Sequence, residues 1–470
     1  MEPFEQKALD YYGEVVINKY LIHRAGFGAR AIPAYVGEWI LSHYVKGGEL
    51  TEEVRDKIAN FINKYFPPKG QKDDIKNRLI NGEMVRLLDD YRVAINLKTG
   101  RRRLHIPLLD VTDARLKAGI VQENELLVTS GVWGLGDLMY VPPEASDDHG
   151  RIWMREFRPF QVTSVDVDYF RHCRQHFAFQ EWLDLMVSSI GFNPHAVNHH
   201  QKMLLITRLI PLAEPRVNIM ELAPKATGKS FVYDNLSRYA RVIGGGKITP
   251  AALFHNLASH TPGLIARYDA IVLDEIQSVR GDSAGELAAG LKVYMESGRY
   301  SRGNTTGTAE AGFVMLGNIP LDEHRQPLNQ EDGLLRNLSN FMEQTAFVDR
   351  IHGLLAGWEM ERITTDTPSR SLGFKGDFFS EILHVLRGEM DYGEFASEHL
   401  RLWNCDDLRD RKAIRRLATG YLKLLFPDLS PTPEQFREHC VRPAVALRQR
   451  VRDELHRMDP EYAEVEIGVG

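Results

Sequence analysis

The feature that most constrains this chain is a pair of short motifs, with Asp274 following Lys229 by 45 residues. The first, Ala223-Pro224-Lys225-Ala226-Thr227-Gly228-Lys229-Ser230, comes after the run Val217-Asn218-Ile219-Met220 and leads into a helical stretch from Ser230 to Tyr239. It is the pattern GxxxxGK[ST] with alanine at the first glycine. Such a loop wraps phosphates in successive backbone N–H groups at a helix N-terminus, so it demands a strand before it and a helix after it. Pro224 to Gly228 would form the cradle, with Phe231 beside it; Lys229 would reach the β- and γ-phosphates of ATP and Ser230 would ligate Mg²⁺. If the Ala223 position needs positive φ, its Cβ costs about 1 kcal/mol. Taken alone, Gly-Lys-Ser also fits a plain helix start with an exposed lysine. The second motif weighs against that. Ala270-Ile271-Val272-Leu273-Asp274-Glu275 reads as a buried strand ending in two carboxylates at the edge where parallel sheets bind ligands. Asp274 is expected next to the loop, holding Mg²⁺ through water, and Glu275 is expected to polarise the attacking water. An acidic helix cap is the alternative.

Further apolar runs extend the sheet. Gly312-Phe313-Val314-Met315-Leu316-Gly317 ends in Asn318, which also suits an Asn-Ile-Pro turn. Ala346-Phe347-Val348 leads to Asp349-Arg350, which alone fits a surface ion pair equally well. From about Leu205 to Trp358 such runs alternate with helical patterns, the mark of a parallel α/β sheet. Upstream, Tyr35, Trp39, Ile40 and Tyr44 recur at helical spacing, whereas Val93-Ala94-Ile95-Asn96-Leu97 and Glu125-Leu126-Leu127-Val128 read as strands. The expected fold is α/β: a P-loop core with a parallel sheet and helical lid, preceded by a helical segment and a small β-rich module. The expected divisions are a helical domain at 1–90, a β-rich, barrel-like module at 91–165 and a helical connector at 166–204. The core follows at 205–373, then the lid and tail at 374–470.

Composition excludes several classes. With 43% hydrophobic and 26% charged residues the chain is not intrinsically disordered. Cys173, Cys405 and Cys440 lie far apart, so neither a disulfide framework nor a zinc ribbon is expected. The N-terminus lacks signal-peptide features and no window of about 18 apolar residues occurs, so we expect a cytoplasmic protein without a membrane span. His172 and His176, like His195 and His199, have helical ligand spacing, but no carboxylate or cysteine set completes a metal site. A net charge of −6 gives no overall attraction to nucleic acid, so any DNA contact must come from local basic patches.

Lys229, the acidic pair, Asn318 and Arg350 in this order resemble AAA+ ATPases. The resemblance implies that Asn318 senses the γ-phosphate and that Arg350 is an arginine finger reaching a neighbouring subunit's nucleotide. It implies a second sensor in the lid, for which Arg411 and Arg415 are candidates at i, i+4 on one helical face. Longer stretches resemble a narrower family. Glu221 to Ser230, Gly245-Gly246-Lys247, Phe254-His255-Asn256, Met295 to Gly303, Gly317-Asn318-Ile319 and Phe347 to His352 are similar to BrxL, the Lon-related ATPase of phage-exclusion (BREX) systems. So are Ser130 to Gly134, Ile190 to Pro194 and Arg208 to Leu212. BrxL proteins carry a Lon-type protease-like domain after the lid. Here about a dozen residues follow the last lid helix, so proteolysis by this chain is not expected. The family implies a homo-oligomeric hexamer, in one form two stacked rings, that encloses double-stranded DNA, with other BREX proteins as further partners.

The residues lean the same way. The segment Gly244 to Pro250 lacks the aromatic of polypeptide-threading pore loops, but has Lys247. Arg299, Tyr300 and Arg302 precede a Gly303-Asn304 turn and read as a hairpin presenting a basic collar to phosphates. Arg101-Arg102-Arg103 is a second patch. A protein unfoldase and a nucleotide-assembled DNA clamp with little turnover remain the rival readings.

Overall fold

The computed structural model describes all residues except 28–30, 46–48, 97–99, 144–148, 163, 245–247, 258–260, 279–282, 329–332, 337 and 339–343, and only the backbone at 96, 283 and 284. The chain divides into two compact units, Tyr20–Ser164 and the pair of segments Met1–Lys19 and Val165–Gly470. This differs from a boundary at residue 90. Helices Ala34–Tyr44, Glu52–Tyr65 and Lys72–Ile80 share a unit with the strands that follow, while the first helix, Pro3–Tyr12, belongs to the other unit. Aromatic burial decides the latter. Tyr12 stands edge-on to Phe374 at 4.8 Å, packs beside Trp182, and donates its hydroxyl to the Phe170 carbonyl at 3.0 Å.

In the smaller unit, β1 (Val85–Asn96), β2 (Arg101–Ile106), β3 (Val111–Leu116), β4 (Val132–Val141) and β5 (Arg151–Pro159) close a barrel in the order β1-β2-β3-β5-β4. Only the β3–β5 pair is parallel. A five-stranded barrel with this order has the topology of an OB-fold. β structure begins at Val85, inside the segment expected to be helical, because Val85 and Leu87 alternate with Arg86 and point into the core with Leu104, Ile106 and Met154. The strand expected at Glu125–Val128 is a 3₁₀ turn instead, with only Leu127 buried. A closed barrel leaves no edge for it to pair with.

In the larger unit, β6 (Ile219–Ala223), β7 (Ala240–Gly244), β8 (Ala270–Asp274), the hairpin β9 (Arg299–Arg302) and β10 (Thr305–Thr308), β11 (Gly312–Asn318) and β12 (Gly353–Ala356) follow in sequence. β12-β6-β11-β8-β7 form one sheet, parallel throughout. β6, β8, β11 and β12 are almost wholly buried, as continuous apolar strands covered on both faces must be. Helices α1 (Lys229–Leu236) and α2 (Ser283–Ser297) lie within the α/β segment; α3 (Gly376–Gly388), α4 (Leu408–Leu425) and α5 (Arg442–Met458) follow it. Arg448 of α5, fully buried, ties these parts together. It donates to Asp410 of α4 at 2.6 Å, to the Asp349 carboxylate at 2.8 Å and to the Ile351 carbonyl at 2.6 Å. Among the described residues no helix is long and apolar enough to cross a membrane, and the three cysteines are buried and unpaired.

Candidate nucleotide-binding site

β6 ends at Ala223 and α1 begins at Lys229, so the loop between them is Pro224–Gly228. Its left-handed residues are Ala226 (φ +65°) and Gly228 (φ +72°), not Ala223. Ala223 is the buried last residue of the strand. Its methyl fits because Gly357 faces it; a Cβ there would come within 2.7 Å of it. The strain expected at Ala223 thus falls on Ala226, at about 1 kcal/mol. A side chain at Gly228 would be strained by the positive φ, and its Cβ would crowd Phe192 at 3.0 Å and Ile363 at 3.1 Å.

The loop is held from two directions. The Ile363 N–H donates to the Ala226 carbonyl at 2.8 Å. Arg208 reaches the Thr227 and Gly228 carbonyls at 3.4 Å and grips Glu221 of β6 through two hydrogen bonds of 2.7 and 3.0 Å. Both side chains are 1% exposed. Removing one partner of such a pair typically costs about 3–5 kcal/mol. Neither residue was singled out from the sequence for this role, although a lone glutamate in the apolar run Ile219–Ala223 is the signal that could have found the pair.

Lys229 is buried, and its ammonium donates to Asn318 Oδ1 at 2.9 Å and to the Pro224 and Ala223 carbonyls at 3.0 and 3.3 Å. Burial lowers its pKa, while the charges of Glu221 and Asp274 act in the opposite sense. The sheet order explains the Asn318 contact. β11 lies between β6 and β8, with Asn318 in register with Ala223 and Met315 with Leu273. One strand separates the acidic strand from β6, and the charge of Asp274 at its carboxyl end still acts on Lys229. Asp274 closes β8 and accepts the Glu275 N–H at 2.8 Å; Glu275 itself is exposed, in a left-handed conformation (φ +53°). Ser230 is the second residue of α1. One turn on, partial desolvation and the Asp274 charge raise the Asp234 carboxyl. The hydroxyl of Ser230 and the carboxylate of Asp274 are hard oxygen donors, which suit Mg²⁺ better than a softer ion. Beside the loop, exposed Phe231 and Ile363 flank buried Phe192, with Phe231 edge-on to it at 6.3 Å.

Other candidates lie elsewhere. Arg350 precedes β12, whose first residue is in register with Ile219, so it sits at the amino-terminal edge of the sheet. The five residues of β6 separate that edge from the loop by about 16 Å. There Arg350 lies 3.3 Å from Glu296 at the end of α2, and Arg409 shares the same carboxylate at 3.0 Å. Arg350 therefore cannot serve its own loop. Arg415 lines a cavity of about 650 Å³ with Glu214, Arg216 and Glu310, residues that precede β6 and β11 and mark the same far edge. Arg411 donates to the Cys405 carbonyl at 2.6 Å. Arg415 also donates to Ser397 Oγ at 3.2 Å, so in this chain both arginines hold partners other than the loop. The hairpin exists, turning at Gly303 (φ +54°), with Arg299 exposed. Tyr300, however, packs on Phe254, and Arg302 donates to the His255 carbonyl at 2.7 Å. The fold uses both, contrary to their expected exposure to a ligand. Lys247 lies outside the described residues. Arg101, Arg102 and Arg103 are exposed on β2. His172 stands edge-on to His176, which stacks on Tyr11 at 4.0 Å. Among the described residues no cluster of three metal-ligating side chains occurs.

His352 secures the segment bearing Arg350. Its Nδ1 accepts the Asn218 N–H at 2.9 Å, and Asn218 also reaches the Arg350 carbonyl at 3.4 Å. Desolvation, then the charges of Arg416 and Arg448, hold its pKa well below the usual 6.5. The ring is neutral when folded and titrates near 6.5 when unfolded, so its contribution is intact above about pH 6.5 and is lost as pH falls below that value. The melting temperature should therefore drop between about pH 7 and 5.5. His352→Gln should flatten that part of the profile; superimposable profiles would contradict this account.

Two family models match the chain. One, described as "Lon-like protease BrxL-like, ATPase domain", covers residues 152–468; the other, "BREX system Lon protease-like protein BrxL N-terminal", covers residues 10–140. Among curated proteins, the "Lon-like protease BrxL" of Escherichia coli O9:H4 (strain HS) is 28% identical over 445 residues, 94% of this chain and 63% of that protein. The protein of the same name from Bacillus cereus (strain H3081.97) is 26% identical over 469 residues, 97% of this chain and 67% of its own length. The chain thus spans about two thirds of these relatives.

Proposed function

The chain belongs to the BrxL family, and from that premise we propose that it is a ring-forming AAA+ ATPase that binds DNA and couples ATP hydrolysis to encircling or translocating it in BREX phage defence. The observation that carries the ATPase part is the 2.9 Å contact between Lys229 and Asn318, which brings loop and third motif strand together beside the acidic one. In this reading the loop N–H groups and Lys229 bind the phosphates, and Phe231 with Ile363 offers the base an apolar rim. Ser230 and Asp274 would hold Mg²⁺, which supplies neutralising charge at the β- and γ-phosphates. Glu275 polarises the attacking water and Asn318 orients it against the γ-phosphate. The α3–α5 region is the lid, and Arg350 completes the site of the next subunit, as a hexamer requires.

The DNA part rests on exposed Arg299 at the hairpin and on Arg101, Arg102 and Arg103. Turnover should rise on adding a DNA duplex. Arg299→Ala should weaken duplex binding and reduce the slope of log affinity against log salt by about 0.9 per lost phosphate contact. Turnover indifferent to DNA but stimulated by an unfolded protein would instead establish the unfoldase reading.

A further inference from the structure

The outer surface of the barrel carries a pattern that the ATPase site does not use. Alternation along β2 sends Leu104 and Ile106 into the core and leaves Arg101, Arg103 and His105 on the outside. Strand pairing extends this outward set sideways. Ala94 is opposite Arg103. Leu104 is opposite Ala114, which brings Arg115 of β3 next to Arg103, and Arg115 is in register with Trp153 of β5. Arg103, Arg115 and Trp153 therefore form one lateral row across three strands, spaced by about 4.8 Å per strand. Arg92 and Arg151 on the same barrel are ion-paired, with Asp90 and Asp113 respectively. Arg101, Arg102 and Arg103 are exposed and enter no ion pair among the described residues.

The chemistry of the row selects its partner. Guanidinium groups match phosphate oxygens. An indole beside them offers a flat apolar face, which a duplex cannot use because its base faces are already stacked on one another. An unpaired base can stack there. OB-type barrels bind oligonucleotides on their second and third strands, the strands that carry Arg101, Arg103 and Arg115 here.

We propose that this face binds an unpaired DNA strand, with Arg101 and Arg103 on its phosphates and Trp153 stacked on a base. The inference takes from the preceding section that the ligand is DNA. It shares Arg101 and Arg103 with that reading and adds Trp153 and the choice of a single strand over a duplex, so comparing the two forms of DNA is what separates the two.

The test uses the full chain with a fluorescein-labelled oligothymidine of about 20 nucleotides and a duplex of equal length, titrated over a range of salt. Wild type should bind the single strand. The double variant Arg101→Ala/Arg103→Ala should bind it roughly tenfold more weakly at low salt, with the salt slope reduced by about 1.4, or about 0.7 for each phosphate contact. Trp153→Leu should weaken binding by about tenfold with the slope unchanged, because stacking carries no charge, and Trp153→Phe should recover most of the loss. Circular dichroism and thermal melting of each variant report on folding; if the leucine variant is unfolded, the comparison of phenylalanine variant with wild type and the arginine slope still decide. Duplex binding without single-strand binding would overturn this proposal and leave the DNA reading standing. Binding of neither would overturn both. Single-strand affinity and slope unchanged in the arginine variant would place the contact on another face.

Discussion

Replacing Arg350 by alanine should lower ATP turnover of the assembled particle by about 10³–10⁵-fold while each chain still binds nucleotide. The geometry makes this a prediction about a neighbour. Arg350 stands at the opposite edge of the sheet from its own loop and rests against Glu296. Its charge can stabilise a developing transition state only at the γ-phosphate held by another copy. A mixing experiment separates this from a folding defect. Lys229→Ala chains keep Arg350 and lose the phosphate-binding ammonium; Arg350→Ala chains keep the site and lose the finger. Each should be nearly inactive alone, and a mixture should regain turnover because some interfaces pair an intact loop with an intact arginine. A mixture as inactive as its components, from variants that still assemble, would end the assignment. Because Asp349 stays locked by Arg448 and Arg409, and Arg409 still pairs with Glu296 when Arg350 is removed, the variant should leave the packing between α4 and α5 undisturbed.

Glu275→Gln should slow hydrolysis by about 10²–10⁴-fold, the usual contribution of a positioned base, with nucleotide binding retained. Asp274 and Glu275 are adjacent in sequence but differ in setting. Asp274 ends a buried strand and accepts the Glu275 N–H, whereas Glu275 is exposed and held at φ +53°. A non-glycine residue held in the left-handed region at a strand end is strain of the kind that collects at functional sites, which singles Glu275 out for the reaction. Lys229→Ala should behave differently, abolishing binding as well as turnover, since its ammonium would meet the phosphates directly. Titration of a fluorescent ATP analogue against both variants, with phosphate release measured in parallel, distinguishes them. Equal turnover in Glu275→Gln and wild type would remove Glu275 from the reaction.

How far the sequence could be read depended on the distance over which each feature is decided. The loop and the acidic strand were legible because strand, loop and helix are consecutive and their spacing is set by phosphate geometry. The hairpin at Gly303-Asn304 was legible for the same reason. The expected strand at Glu125–Val128 failed because closure of the barrel, a non-local event, left it no partner. Tyr300 and Arg302 were read as free side chains because nothing local shows that Phe254 and the His255 carbonyl would be waiting for them.

The order of residues by itself therefore determined that a Gly-Lys-Ser loop between strand and helix is followed by a carboxylate-ending strand, since those features follow from local backbone geometry and hydrophobic patterning. Only the tertiary structure decided that Asn318 comes between them to meet Lys229, that Arg208 and Glu221 brace the loop, that Gly357 makes room for Ala223, and that Arg350 and Arg415 hold partners other than the loop. Each of these is settled by strand order and by burial of groups distant in the chain, where the low dielectric and close packing of the interior choose partners that spacing does not encode.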